Sequence, residues 1–133
     1  NHDKEFTTEF EGKPVYDWML ELTDPEKVMF ELDLYWIDHG GKNPIDYFNK
    51  YPGRFMLYHI KDEKELGESG NMDFNAIFAG DKNSGMKYGI VEVEKYNFDS
   101  LSDRYLYLNK SSSFFSIFRV SPNRYLSSPP CGL

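Results

Sequence analysis

Three apolar stretches of this chain each carry a potential metal ligand late in the run: Asp33 in VMFELDLYWI, His59 in RFMLYHIKD and Glu92 in KYGIVEVEKY. Two carboxylates and an imidazole are the donor types of a divalent-cation site. Asp33 and His59 are 26 residues apart and His59 and Glu92 are 33 apart, close to the roughly 30 residues that a strand, a helix and the return to a parallel strand require. Each ligand then comes from a different, successive strand. In a closed β/α barrel the active site lies at the C-terminal strand ends, which is where such residues are needed. Glu94 shares a strand face with Glu92 and is its rival. Strand alternation puts Leu57, His59 and Lys61 on one face, so the Lys61 ammonium can reach substrate oxygens from the same mouth.

Apolar runs alternate with helical patterns about four times, the order of βαβ units rather than of a sandwich. Residues 1 to 6 read as a strand end and its loop. Pro14 opens a helix with Val15, Trp18, Met19 and Leu22 at inward spacing, and residues 28 to 37 form the first complete strand. Asn43 and Pro44 suit the N-cap and first position of a second helix that turns Ile45, Phe48 and Tyr51 inward, stopped by Pro52 and Gly53. Residues 55 to 60 are the next strand. The polar loop from Lys61 to Met72 is long for a βα connection and so is expected to be functional; Glu68 lies in it. Asp73 caps a third helix carrying Phe74, Ile77 and Phe78. Residues 87 to 94 are the last strand, and Ser100 with Asp103 resembles a capping box.

The chain has 133 residues, 40% of them hydrophobic and 17% aromatic, enough for one domain. A net charge of -7 argues against nucleic acid or an anionic membrane as partner, since both select a basic surface. No run approaches the roughly 18 apolar residues of a membrane span, and Asn1 begins no signal-like segment. A soluble protein is expected, with a cytoplasmic location favoured. The single Cys131 leaves no internal disulfide or cysteine-based zinc site. Residues 111 to 133 hold seven serines and three prolines without a clear period and read as an irregular tail following a domain at 1 to 110.

The segments YDWMLELTDPEKVMFELDLYW, GKNPIDYFNKYPGRFMLYHIKD, GNMDFNAIFA and KYGIVEVEKY together resemble the C-terminal half of the xylose-isomerase-like sugar phosphate isomerase/epimerase family, over about residues 1 to 108. The resemblance lies in order, spacing and the clusters ELDLYW, YPGRF and HIKD. It implies an α/β fold, a partial (β/α)8 TIM barrel of about four parallel βα units, because a complete barrel needs about 250 residues.

It also implies that Asp33, His59 and Glu92 are the second, third and fourth ligands of a divalent metal, with Asn1 or His2 near the first. The metal is one of Mn2+, Mg2+, Co2+ or Zn2+. The reaction implied is sugar or sugar phosphate isomerisation or epimerisation through an enediolate, with Glu92 as the remaining base. The family's first ligand is commonly a glutamate, and Asn1 cannot act as a base. Lys61, Glu68 and Trp36 are candidate substrate contacts, Trp36 by stacking on a sugar face. The alternatives are an inactive barrel fragment, which self-associates through open sheet edges, and a metal-assisted lyase or hydrolase acting on a sugar. On either view the isolated segment is expected to be weakly active or inactive. Three expectations are structural rather than functional. His39 is placed in a loop, Trp18 and Tyr35 in the core or wall, and Asp62, Glu63, Lys64 and Glu65 on a solvated face.

Overall fold

A computed structural model describes residues 2–92 of the chain. The expectations for Asn1, Glu94, Ser100, Asp103, Cys131 and the tail at 111 to 133 therefore lie outside the described residues. The chain runs through a short helix α1 (Lys4–Thr7), a two-stranded antiparallel hairpin β1 (Glu9–Phe10) and β2 (Lys13–Pro14), and helix α2 (Val15–Leu22). Then come strand β3 (Phe30–Asp33), helices α3 (Leu34–His39) and α4 (Pro44–Lys50), strand β4 (Phe55–Ile60), helix α5 (Phe74–Gly80), a 3-10 turn and strand β5 (Tyr88–Val91). Strands β3, β4 and β5 form a parallel sheet in sequence order. That is three of the expected parallel units, joined by helical crossovers as parallel pairing demands. Residues 4 to 6, expected in a strand end and its loop, belong to helix α1 instead.

The alternation of β4 divides the sheet into two faces. Tyr58 and Ile60 are fully buried, with the Tyr58 ring stacked on Phe48 of α4 at 5.3 Å and 11°. The core continues through Phe55, Phe74 and Phe78. On the other face the register aligns Leu57 with Tyr88 and His59 with Ile90; Tyr88 and Ile90 are 60% and 47% exposed. Polar groups placed on that side can therefore meet a ligand.

Two element expectations need correction. Residues 28 to 37 do not form one strand: β3 is four residues long and α3 starts at Leu34. The aromatic and β-branched run LYWI favours a strand, but the Asp33 side chain accepts hydrogen bonds from the Tyr35 and Trp36 backbone N–H groups and caps a helix instead. His39 is accordingly the last residue of α3 rather than part of a loop. In α2 the inward residues are Tyr16, Asp17 and Leu20, while Met19 and Leu22 are exposed. Tyr16 lies between Phe6, at 4.6 Å, and Tyr47, at 6.0 Å, and Asp17 is kept inside by the Lys50 ammonium 2.6 Å away. Trp18 lies against the hairpin, donating its indole N–H to the Phe10 carbonyl at 2.9 Å.

Buried Arg54 ties the end of α2 to the start of β3. Its guanidinium donates to the Leu20 carbonyl at 2.5 Å, a carbonyl of the last helical turn that has no intrahelical partner, and to Thr23 Oγ1 at 2.7 Å. Gly85, before β5, has φ +85°, and a Cβ there would meet the Gly53 backbone at 2.8 Å. The two loops at this end of the sheet can approach because Gly85 lacks a side chain, whereas a Cβ on Gly53 would meet nothing within 4 Å.

Candidate metal and substrate site

The parallel register brings the three ligand candidates together. Asp33 is the direct partner of His59 across β3 and β4. Glu92 follows β5 two residues after Ile90, the partner of His59, and its N–H donates to the Ile60 carbonyl at 3.0 Å. Two residues is one full pleat, so Glu92 returns to the His59 face one step nearer the C-terminal ends. Asp33 Oδ2 is 2.7 Å from His59 Nδ1, and Glu92 Oε2 is 2.6 Å from His59 Nε2. Asp33 and His59 are buried, whereas the Glu92 side chain is 44% exposed. The accessible carboxylate is therefore Glu92.

Asp33 performs two tasks with two oxygens. Oδ1 takes the cap bonds of α3 at 3.0 and 2.9 Å, and Oδ2 is buried without a hydrogen-bond partner. Its distance to His59 Nδ1 is that of an ion pair. Burial pushes the Asp33 carboxyl above the usual carboxylate range, against the Trp36 N–H and the charges of His59 and Lys61.

His59 has a carboxylate at both ring nitrogens, yet a neutral imidazole carries only one N–H. One contact then sets lone pair against lone pair unless a proton or a cation intervenes. Carboxylate oxygen and imidazole nitrogen are donors that divalent ions accept, and Asp33 Oδ2 adds negative charge beside the His59 ring. By donor chemistry the three residues fit a divalent cation. Among the described residues no set of three or more such side chains surrounds a common cation position; the imidazole lies between the two carboxylates.

Lys61 continues the His59 face and is buried, with Nζ 5.4 Å from the ring centres of both Tyr35 and Trp36. That is within the range of a cation–π contact. Trp36 also carries the His2 imidazole, stacked at 4.4 Å and 15°, and His2 turns Nδ1 toward Asp3. His2 is thus joined to the mouth through Trp36. Glu68 is exposed in a turn, its N–H donating to the Glu65 carbonyl at 3.0 Å.

The stretch 62–65 is a solvated face only in part: Glu63 and Lys64 are exposed as expected, but the other two residues are not. Asp62 and Glu65 are buried, and Asp62 accepts from the Glu63 N–H at 2.7 Å, the Gly67 N–H at 2.9 Å and the Ser69 hydroxyl at 2.6 Å. These bonds offset the cost of burying its charge. An Asp heading a loop that contains Gly67, Ser69 and Gly70 is the available signal for this role, because short polar side chains bond to backbone a few residues on. Between α3 and this loop is a cleft of about 520 Å³ lined by Tyr35, Asp38, His39, Glu63, Asn71 and Met72.

A solved structure of a sugar phosphate isomerase/epimerase from Parabacteroides distasonis ATCC 8503 matches 83% of this chain at 37% identity with a TM-score of 0.72. A second from the same organism, of the same description, matches 81% at 33% identity and the same TM-score. This chain is similar to the sugar phosphate isomerase/epimerases, barrels of the xylose-isomerase-like kind. Against those isomerase/epimerases it covers 44% of each solved chain, so its parallel α/β fold corresponds to part of a barrel. Inosose dehydratase of Lacticaseibacillus casei is 31% identical over 68 residues, which are 50% of this chain and 23% of that enzyme. No family model matches the chain. The relatives are sugar-processing proteins, and the chain spans less than half the length of each. No helix among the described residues is long and apolar enough to cross a membrane.

Proposed function

We propose that the chain carries the site of a metal-dependent sugar or sugar phosphate isomerase or epimerase that works through an enediolate. The observation that carries this reading is the meeting of Asp33, His59 and Glu92 at the C-terminal ends of three successive parallel strands, with contacts of 2.7 and 2.6 Å. Asp33, His59 and Glu92 would hold Mn2+, Mg2+, Co2+ or Zn2+, and the first ligand position falls to Asn1 or His2. Such an ion, when bound, polarises a ketose carbonyl and its neighbouring hydroxyl.

The chain's own residues divide the remaining work. Glu92, the accessible carboxylate, takes the proton from the carbon beside the carbonyl and returns it on the same face to the adjacent carbon; epimerisation would need a second acid on the opposite face. Lys61 stabilises the negative charge that develops on the substrate oxygens, from a site whose burial strengthens the interaction. Asp33 fixes the orientation of His59. Trp36 offers a stacking surface for a sugar, and Glu68 reaches hydroxyls from the loop.

A sugar lyase is the second reading, favoured by the match to inosose dehydratase. Dehydration begins with the same proton removal and differs in the departure of a hydroxide from the next carbon. The test is to incubate the intact protein with Mn2+ and a set of ketoses, ketose phosphates and inososes in D2O, following products and deuterium uptake by NMR. Isomerisation with deuterium at the carbon beside the carbonyl is expected, and Glu92→Gln should abolish both. An unsaturated or deoxy product would select the lyase. Wild-type turnover by Glu92→Gln would remove Glu92 as the base.

A further inference from the structure

We infer that Asp62 is a positioning residue for substrate binding, acting through Ser69 on the wall of the cleft beside the proposed site. The inference rests on that functional reading and adds a residue to it. Asp62 directly follows Lys61 and is almost completely buried, 1% exposed. Its Oδ1 accepts from both the Glu63 N–H and the Ser69 hydroxyl, and its Oδ2 from the Gly67 N–H. Ser69 Oγ in turn accepts the Asn71 N–H at 3.1 Å. One carboxylate thus anchors the loop at its start, middle and end. The residues at the two ends of this relay, Glu63 and Asn71, line the cleft opposite Tyr35, Asp38 and His39 of α3.

The chemistry of this wall suits an uncharged polyhydroxy portion of a sugar. The carboxylates accept from hydroxyls while amide and imidazole groups bond them in either direction, and the Asp38 and Glu63 carboxylates oppose a phosphate ester by like charge. Asp62 touches no reacting atom. Its loss loosens the wall, so substrate affinity falls while the proton transfer at Glu92 proceeds at its usual rate once substrate is bound.

Ser69→Ala is the informative variant, because it cuts the relay to Asn71 without leaving a buried charge exposed to misfolding. Steady-state kinetics of the intact protein with its best keto-sugar and Mn2+ should show KM raised about fivefold, the worth of one hydrogen bond, with kcat unchanged. Ser69→Thr, which restores the hydroxyl, should return KM to the wild-type value. Asp62→Asn keeps the Oδ1 acceptor but sets an amide against the Gly67 N–H; it should raise KM as well and speed hydrogen exchange at the Gly67 amide. Unchanged KM in Ser69→Ala, or a fall in kcat equal to the fall in kcat/KM, overturns the positioning role while leaving the proposed reaction intact. A wild-type protein that neither binds nor turns over any keto-sugar overturns both.

Discussion

Asp33 and His59 are register partners on adjacent parallel strands, and Asp33 reaches the imidazole with one oxygen, 2.7 Å from Nδ1, while its other oxygen caps α3. The residue that ends β3 and starts α3 is therefore the residue that fixes the histidine. Fold and site share a side chain, and the two uses can be separated by substitution.

Asp33→Asn keeps an oxygen for the Tyr35 and Trp36 N–H groups but removes the negative charge facing His59. Its thermal midpoint should stay close to wild type while divalent-ion affinity falls by at least about tenfold, the lower range seen for residues that only support metal ligands. Asp33→Ala should lose the same affinity and in addition about 1 kcal/mol of stability from the missing cap. Calorimetric titration with Mn2+ and urea unfolding of both variants read the two effects. Equal stability of the two variants would contradict the cap.

Arg54→Met keeps the apolar stem and removes the guanidinium that binds the Leu20 carbonyl and Thr23. It should destabilise the chain by about 1.5 to 3 kcal/mol, the range for hydrogen bonds involving a charged group. A urea midpoint unchanged from wild type would show that the α2 terminus finds other partners.

Gly85→Ala places a Cβ 2.8 Å from the Gly53 Cα at a backbone φ of +85°. Both the contact and the conformation are unfavourable, so a loss above about 1 kcal/mol is expected. Gly12→Ala provides the control, since its φ is also positive but a Cβ there meets nothing within 4 Å. Equal losses in the two variants would leave only the backbone term.

Burial raises the Asp81 carboxyl above its usual range. Between the unfolded and the folded pKa the folded state binds more protons, so stability falls as pH rises through that interval. Asp81→Asn should match wild type below the ordinary carboxylate range and exceed it at neutral pH. Urea midpoints measured from acid to neutral pH check this, and a constant difference between the two proteins would contradict it.

The meeting of the three candidate residues is legible in the sequence because it follows strand periodicity. Asp33, His59 and Glu92 stand at successive strand ends, so the intervals between them already placed them on one mouth. Lys61 followed by alternation from His59. The inward face of α2 was hidden because Asp17 is buried by a lysine 33 positions away, which no local pattern reveals. The length of β3 is hidden because the cap formed by Asp33 outweighs the strand preference of the aromatic run after it. The burial of Asp62 is hidden because a charged residue is buried only when partners satisfy it, and here the partners are two backbone N–H groups and the Ser69 hydroxyl of a folded loop.

The central claim is that Asp33, His59 and Glu92 hold one divalent cation. Electron paramagnetic resonance of Mn2+ titrated into the intact protein, into His59→Gln and into Glu92→Gln measures it directly. One bound Mn2+ per wild-type chain is expected, with affinity reduced by at least about tenfold in both variants. Absence of bound Mn2+ at saturating concentration, or equal affinity in wild type and variants, would contradict it.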